Sequence, residues 1–369
     1  MSRVPSVVTP SPADLIQILE DRWEAAMAPR QPDAPTVASL FAGGGGSSLG
    51  YLMAGFRETF ATDHDPVAMA TFRQNLPHVP TWEGDIANLT ADMLLEQAGL
   101  ERGELDVLDG SPPCQGFSMA GRRQLADSRN TLFREYVRLL ADLQPKVFVM
   151  ENVAGMVRGT MRLVFAECLV ALKAAGYRVS ARVLNAMYFG VPQHRARLIV
   201  IGVRSDLRIA PTHPAATSWP IPLRTALSAA ARIGAQPGDA EIPDLTDSYG
   251  LLWPQVRPGQ SAMHVIGKGY SSCVKPHPDR PCPTLMKTQK GTGFATMVHP
   301  TERRPLSIRE TATIGVYPPA FHFTGSYGEQ WGRIGNSVPP LFMHAIARHL
   351  RTAVLDQIDA TPEQADRAA

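Results

Sequence analysis

The strongest constraint on how this chain can fold is an alternation that runs from Thr36 to about Arg204. The segments "TVASLF", "TFAT", "LDVLDG", "KVFVMEN", "YRVSARVLNA" and "RLIVIGV" are short, apolar and rich in β-branched or aromatic residues, as strands are. Between them, "SSLGYLMAGF" and "PVAMATFRQNL" carry apolar residues at helical spacing. Strands buried on both faces and separated by helices pair in parallel, so the expected core is an α/β, Rossmann-like sheet with helices on both sides.

The chain has 369 residues, enough for one large domain and a smaller one. Residues 1–34 read as an extension with one amphipathic helix, because Ser11-Pro12 is a helix-start signal and Leu15, Ile16, Leu19, Trp23 and Met27 then recur on one stripe. That stripe is expected to dock on the main domain, with a partner-binding helix as the alternative. Residues 35–204, the alternating region, are expected to form the main domain and to carry any catalytic and cofactor-binding site. Pro, Gly, Ser and His dominate after Arg204, so residues 205–304 are expected to form an irregular, mostly β lobe. Residues 305–355 return to the first domain and end in a helix that starts at Pro339-Pro340, and residues 356–369 form a flexible tail.

No apolar run is long enough to span a bilayer, and "MSRVPSVVTPSPADL" lacks the apolar stretch of an export signal, so the protein is expected to stay in the compartment where it is made, the cytoplasm if the source is bacterial. The four cysteines form no disulfide framework. The net charge of +2 neither demands nor excludes a nucleic-acid partner.

"LFAGGGGSSLG" follows one strand and opens a helix, where glycines permit positive φ and the free amides of a helix N-terminus face a ligand. The spacing is not GxGxxG, since Ser48 stands where the last glycine would be. Asp63, at the next strand end, is placed to accept from ribose hydroxyls, or is a plain surface aspartate. His64 could stack on an adenine or be merely solvated, and Asp85 of "GDI" could accept from an exocyclic amine. Three strand ends facing one crevice point to an adenosine cofactor.

"GSPPCQGFS" also follows a strand. Its prolines fix φ and hold Cys114 at the same edge, whereas Gly116, Gly121, Arg122 and Arg123 make the next segment mobile and basic. Glu151 of "VMENVAGM" emerges beside it, and a carboxyl shielded from water there can donate a proton near neutral pH. In "QHRAR", Gln193, Arg195 and Arg197 alternate before a strand. The two arginines should share a face and can bind a carbonyl oxygen, grip a glutamate or form a surface ion pair. Cys168 reads as a buried structural thiol, and Cys273, His277 and Cys282 lack a fourth ligand for zinc, so no metal is expected.

Taken in order, "FAGGGGSSLG", "DGSPPCQGFS", "ENVAGM", "QHRAR" and "GNSVPP" resemble the cytosine-C5 DNA methyltransferases of bacterial restriction-modification systems. The likeness covers about residues 36–204 and 305–351. It implies a Rossmann-like methyltransferase fold with a target-recognition domain, S-adenosylmethionine as cofactor and double-stranded DNA as partner. It also implies that Phe41, Gly43, Gly44 and Gly46 line the cofactor pocket, that Asp63 takes the ribose and that His64, Asp85 and Ile86 bracket the adenine. Pro113, Leu132, Asn336 and Val338 complete the matching cofactor positions. By the same likeness Cys114 attacks C6 of a flipped cytosine, Glu151 protonates N3, Arg197 contacts the base carbonyl, and Arg195 positions the acid and the cysteine loop.

Gln115, Ser118, Arg122, Arg123, Arg280, Lys287, Lys290, Arg303 and Arg304 are expected to meet DNA. The chain is expected to be a monomer, either solitary or paired with a restriction endonuclease. Some positions depart from the family pattern: Ser39 stands where Asp is usual, His64 where an aromatic is common and Trp331 where Tyr is usual. The rival readings are an RNA cytosine methyltransferase built from the same parts, a non-catalytic DNA-binding protein and, more distantly, an NAD oxidoreductase.

Overall fold

A computed structural model describes residues 9–112, 131–242, 245, 248–267, 273–287 and 297–359. Helix α1 (Pro12–Met27) starts at a reciprocal cap: Ser11 Oγ accepts from the Asp14 amide at 3.2 Å, and the Asp14 carboxylate accepts from the Ser11 amide at 2.9 Å. Its Leu15, Leu19 and Ala26 are buried in the larger core, so the stripe is spent inside the molecule. Arg30 secures the exit from this helix by donating to the carbonyls of Ala25, Ala26, Ala28, Leu52 and Phe56.

The alternating region then runs β1 (Thr36–Leu40), α2 (Gly46–Met53), β2 (Arg57–Asp63), α3 (Pro66–Asn75), β3 (Thr81–Glu83), α4 (Ala91–Ala98) and β4 (Val107–Gly110). It continues with α5 (Thr131–Leu143), β5 (Val147–Val153), α6 (Met161–Ala174), β6 (Tyr177–Asn185) and β7 (Ala196–Arg204). These strands build one seven-stranded sheet in the order β3-β2-β1-β4-β5-β7-β6. All neighbouring pairs up to β5 are parallel, whereas β7 runs antiparallel between β5 and β6. The strand order reverses between β1 and β4, and in open α/β sheets the crevice outside the strand ends at such a point receives the ligand. Two apolar layers sandwich the sheet: the larger includes α1, α2 and α12, and the smaller includes α4, α5 and α6.

The region after Arg204 divides differently from the expected boundaries. Helix α7 (Leu223–Ile233) places Leu223, Ala226 and Ala229 in the larger core, where it packs against α1 and α10. Its apolar residues recur at helical spacing and need the main body to cover them, so residues 205–242 belong with that body. A separate small core holds Leu245, Val256, Ala262, Cys273 and Val298. Around it, the described residues form α8 (Ser248–Leu252), β8 (Gln260–Ser261), α9 (Met263–Ile266) and β9 (Val274–Lys275). The lobe is irregular more than β, because its frequent prolines remove the amide donors a ladder needs.

The chain returns through α10 (Ile308–Ile314) and α11 (Tyr327–Asn336) to α12 (Pro340–Leu350), which lies along α2. A π-helical turn, Arg351–Leu355, and a last helical turn α13 (Asp356–Asp359) end the described chain. No helix among the described residues is long and apolar enough to cross a membrane.

Candidate active site

The first strand end is bent sharply. Phe41 adopts φ +58°, a left-handed conformation that is costly for a non-glycine residue, and Gly43 and Gly45 follow at +56° and +90°. The turn is held from the neighbouring strand: the Ala42 amide donates to the Thr62 carbonyl at 2.9 Å and the Gly43 amide to Asp63 Oδ2 at 2.8 Å. A side chain at Gly43 would project into open space, since nothing lies within 4 Å of its Cβ direction. A loop that shows bare backbone to an open space, beside a carboxylate and the start of α2, fits a nucleoside-type cofactor.

Gly46, by contrast, faces inward. A Cβ there would collide with Ser337 Oγ and lie 2.6 Å from the Val338 carbonyl oxygen and from the Tyr317 hydroxyl. One turn on, Gly50 lets Met343 and the Pro340 carbonyl approach equally closely. The Cα face of Gly46 therefore serves the packing of the "GNSVPP" turn, which places Asn336, exposed, and Val338, buried, beside the glycine loop. Arg333 of α11 adds an ion pair to Asp65 at 2.6 Å and lies against Gly44.

At the second and third strand ends, Asp63 Oδ1 accepts from the Asp65 amide at 3.0 Å and lies 3.2 Å from His64 Nδ1. The His64 ring is otherwise in solvent, with its side chain 80% exposed. The Gly84 amide donates to the Asp63 carbonyl at 3.3 Å, and exposed Asp85 caps the next turn by accepting from the Ala87 amide. Ile86 is buried, and Leu132, at the start of α5, is half-buried against the same apolar cluster.

The fourth and fifth strand ends carry the groups suited to covalent chemistry. Pro113, Cys114, Gln115, Ser118, Arg122 and Arg123 lie outside the described residues, but the backbone that launches them is fixed. Gly110 packs under the Tyr136 ring, and the Pro112 carbonyl accepts from Asn152 Nδ2 at 3.1 Å. Asn152 thus ties the stem of the cysteine loop to the strand that carries Glu151. Glu151 Oε1 is 2.7 Å from Arg197 Nε, and both side chains are nearly enclosed. The pair forms because β7 runs antiparallel to β5, with Val153 opposite Arg197 and Glu151 opposite Ile199. Glu151 is therefore both shielded from water and gripped by a guanidinium.

The arginine roles separate accordingly. Arg197 holds the acid, whereas Arg195 is buried and donates to the carbonyls of Leu285 and Gly335, each at 3.0 Å. Burial first, and then the nearby Arg197 charge, push the Arg195 guanidinium down to about 9. Gln193 supports the same junction, since its Oε1 accepts from the Leu285 amide and its backbone forms an isolated bridge to Cys282. "QHRAR" thereby bolts the 282–285 segment of the irregular region onto the sheet.

The expected DNA-facing residues divide as well. Arg280, Lys287 and Arg303 are exposed, and Lys290 lies outside the described residues. Arg304 is half-buried and already neutralised: it makes a two-pronged pair with Glu310 at 2.7 and 2.8 Å and a further contact with Glu302 at 2.8 Å. Glu310 also caps α10 through the Ser307 amide, so Arg304 is committed to the lobe junction and not to phosphate.

Sequence reasoning passed over a group of polar side chains below the glycine loop. Glu58 of β2 and Asp109 of β4 are both buried, with Ser39, Ser48 and Tyr51 around them. Ser48 Oγ is 2.9 Å from Glu58 Oε1 and 3.2 Å from Ser39 Oγ, and the Tyr51 hydroxyl is 3.3 Å from Asp109 Oδ1. Burial raises Glu58 to about 8 and Asp109 to about 7, and the neighbouring carboxyl charges add to the shift. A charged residue in mid-strand was the available signal, in "RETFATD" and in "DVLDG".

The comparisons with known proteins agree with this geometry. A family profile described as C-5 cytosine-specific DNA methylase matches residues 36–352. The Type II methyltransferase M.XorII of Xanthomonas oryzae pv. oryzae is 33% identical over 369 aligned residues, spanning 87% of this chain and 85% of its own. The Type II methyltransferase M1.HphI of Haemophilus parahaemolyticus is 33% identical over 326 residues, spanning 85% of each chain. Among solved structures, a DNA modification methyltransferase encoded in an Escherichia coli prophage superposes with a TM-score of 0.66 at 24% identity, covering 87% of this chain and all of that one. The DNMT2 structure from Spodoptera frugiperda superposes with a TM-score of 0.62 at 17% identity, covering 89% of this chain. The chain belongs to the C-5 cytosine-specific DNA methylase family.

Proposed function

We propose that this DNA cytosine-C5 methyltransferase works by covalent catalysis on a cytosine swung out of duplex DNA, with Cys114 as nucleophile and Glu151 as proton donor. The observation that carries the reading is the junction at the fourth and fifth strand ends. There Arg197 fixes Glu151 at 2.7 Å, and Asn152 holds the Pro112 carbonyl two residues before Cys114.

Cytosine C5 is a poor nucleophile because the ring is electron-poor. Addition of the Cys114 thiolate to C6 forms an S–C6 bond, while N3 takes a proton from Glu151 and the ring's electron density moves to C5. Arg197 keeps the carboxyl aimed at that nitrogen, and Arg195 keeps the lobe junction in register. When bound, S-adenosylmethionine supplies an electrophilic methyl group; the glycine loop at Gly43 and Gly44, the Asp63 carboxylate, Asp85, Ile86, Leu132 and Asn336 would hold it. Loss of the C5 proton to water, return of the N3 proton to Glu151 and cleavage of the S–C6 bond then release the product and the Cys114 thiolate. Since C6 is inaccessible inside a duplex, the base must leave the stack, at a cost of a few kcal/mol (~2–4).

The irregular lobe presents Arg280, Lys287 and Arg303 to the phosphates. The Type II relatives are consistent with a companion endonuclease; the protein is expected to act as a monomer, beside such a partner or alone. The test is covalent capture on duplex DNA carrying 5-fluorocytosine, whose C5 fluorine blocks the elimination step. The wild type should give a denaturation-resistant complex that needs S-adenosylmethionine, and Cys114→Ser should give none. A complex of equal yield in the variant would remove Cys114 from the mechanism.

A further inference from the structure

We infer that Trp82 supplies the aromatic wall against the adenine of bound S-adenosylmethionine, a place that His64 does not fill. The inference rests on the reading of this sheet edge as the cofactor site.

Trp82 lies in β3 opposite Thr62, so its side chain leaves the sheet on the same face as Phe60, two residues before Thr62. That face carries the smaller apolar cluster, in which Ile86 is buried and against which Phe41, Leu132 and Trp82 are only partly covered. These four apolar groups come from the rims of the first, third and fourth turns of the sheet edge. Phe41, Leu132 and Trp82 still have surface to give to a ligand.

The placement of the indole is specific. A Cβ on Gly84 would lie 2.7 and 2.8 Å from two atoms of its six-membered ring, so the indole packs directly against that glycine. Gly84 is the residue whose amide bonds the Asp63 carbonyl, and it precedes Asp85. The indole therefore sits beside the backbone that joins the ribose carboxylate to the acceptor expected for the adenine amine. The His64 side chain is 80% exposed and its Nδ1 lies 3.2 Å from Asp63 Oδ1. A purine needs an apolar face more than a hydrated imidazole, and an indole gives the larger stacking surface.

The experiment titrates full-length protein with S-adenosylhomocysteine, following tryptophan fluorescence and, in parallel, heat of binding. Wild type should be quenched on binding. Trp82→Phe should keep affinity within about threefold but lose most of the quench, because the ring is retained and the fluorophore is not. Trp82→Ala should raise the KM for S-adenosylmethionine at least about tenfold while kcat at saturating cofactor stays near wild type, as loss of one base-stacking partner predicts. Trp82→Phe also keeps the packing over Gly84, so a folding defect confined to the alanine variant leaves the quench readout intact. Calorimetric binding with an unaltered quench in Trp82→Phe, or a larger affinity loss in His64→Ala than in Trp82→Ala, would overturn the inference and spare the site. Wild type that binds no S-adenosylhomocysteine would overturn the site reading and the inference together.

Discussion

Replacing Glu58 with glutamine should remove a large part of the protein's loss of stability with rising pH. Burial lifts this carboxyl from its ordinary 4.5 to about 8 in the folded chain. An acid with a raised folded value is held neutral by the fold, so its stabilising share is complete below 4.5 and is lost as pH climbs through 8. Between those values each pH unit removes ~1.4 kcal/mol, which amounts to about 3 kcal/mol between pH 5 and pH 7.5. The amide of Glu58→Gln cannot ionise, and its carbonyl can still accept from Ser48, which lies 2.9 Å from Glu58 Oε1. Its amino group replaces Glu58 Oε2, which has no hydrogen-bond partner among the described residues. Urea unfolding of both proteins at pH 5.0, 6.0, 7.0 and 7.5 measures the difference directly. The variant should gain on the wild type steadily, by about 3 kcal/mol over the range. Parallel curves would mean that Glu58 does not titrate there, and the account of a neutral carboxyl below the glycine loop would fall.

Four further outcomes follow from the geometry. Gly46→Ala forces a methyl group onto Ser337 and Val338 and should cost about 1–3 kcal/mol in urea unfolding, with cofactor affinity reduced because the "GNSVPP" turn is displaced. Arg197→Ala leaves Glu151 without its 2.7 Å partner and should lower kcat by roughly a hundredfold in single-turnover assays, with DNA binding kept. Lys287→Ala should weaken DNA binding and reduce its dependence on log salt by about one charge. Arg304→Ala should leave that salt slope unchanged and lower the melting temperature, since it strands Glu310 and Glu302.

The sheet was legible because its strands are buried on both faces and so read as unbroken apolar runs; Val147–Met150 is the clearest case. Glycines and carboxylates at successive strand ends were legible for a related reason: a ligand edge must interrupt an apolar pattern with residues that serve no core. What the letters did not show depends on contacts between distant segments. Arg195 and Arg197 look equivalent in "QHRAR", and only the antiparallel course of β7 gives one to Glu151 and the other to Leu285 and Gly335. Arg304 reads as a surface cation until Glu310, the cap of α10, is seen to hold it. Helix α7 was submerged in a region whose Pro and Gly content suggested a separate lobe, although its alanines are the kind of small residue that packs closely on another helix. Trp82 passed unnoticed because one aromatic in a three-residue strand has no periodicity to reveal it.

Methyl transfer to cytosine C5 in DNA is expected to require the thiol at Cys114. Bisulfite sequencing of DNA from cells expressing the protein tests it most directly, with cells expressing Cys114→Ala alongside. Wild type should leave cytosines protected from conversion at one recurring sequence context, and the variant should leave none. Equal conversion in both samples, or protection that survives loss of the cysteine, would contradict the account.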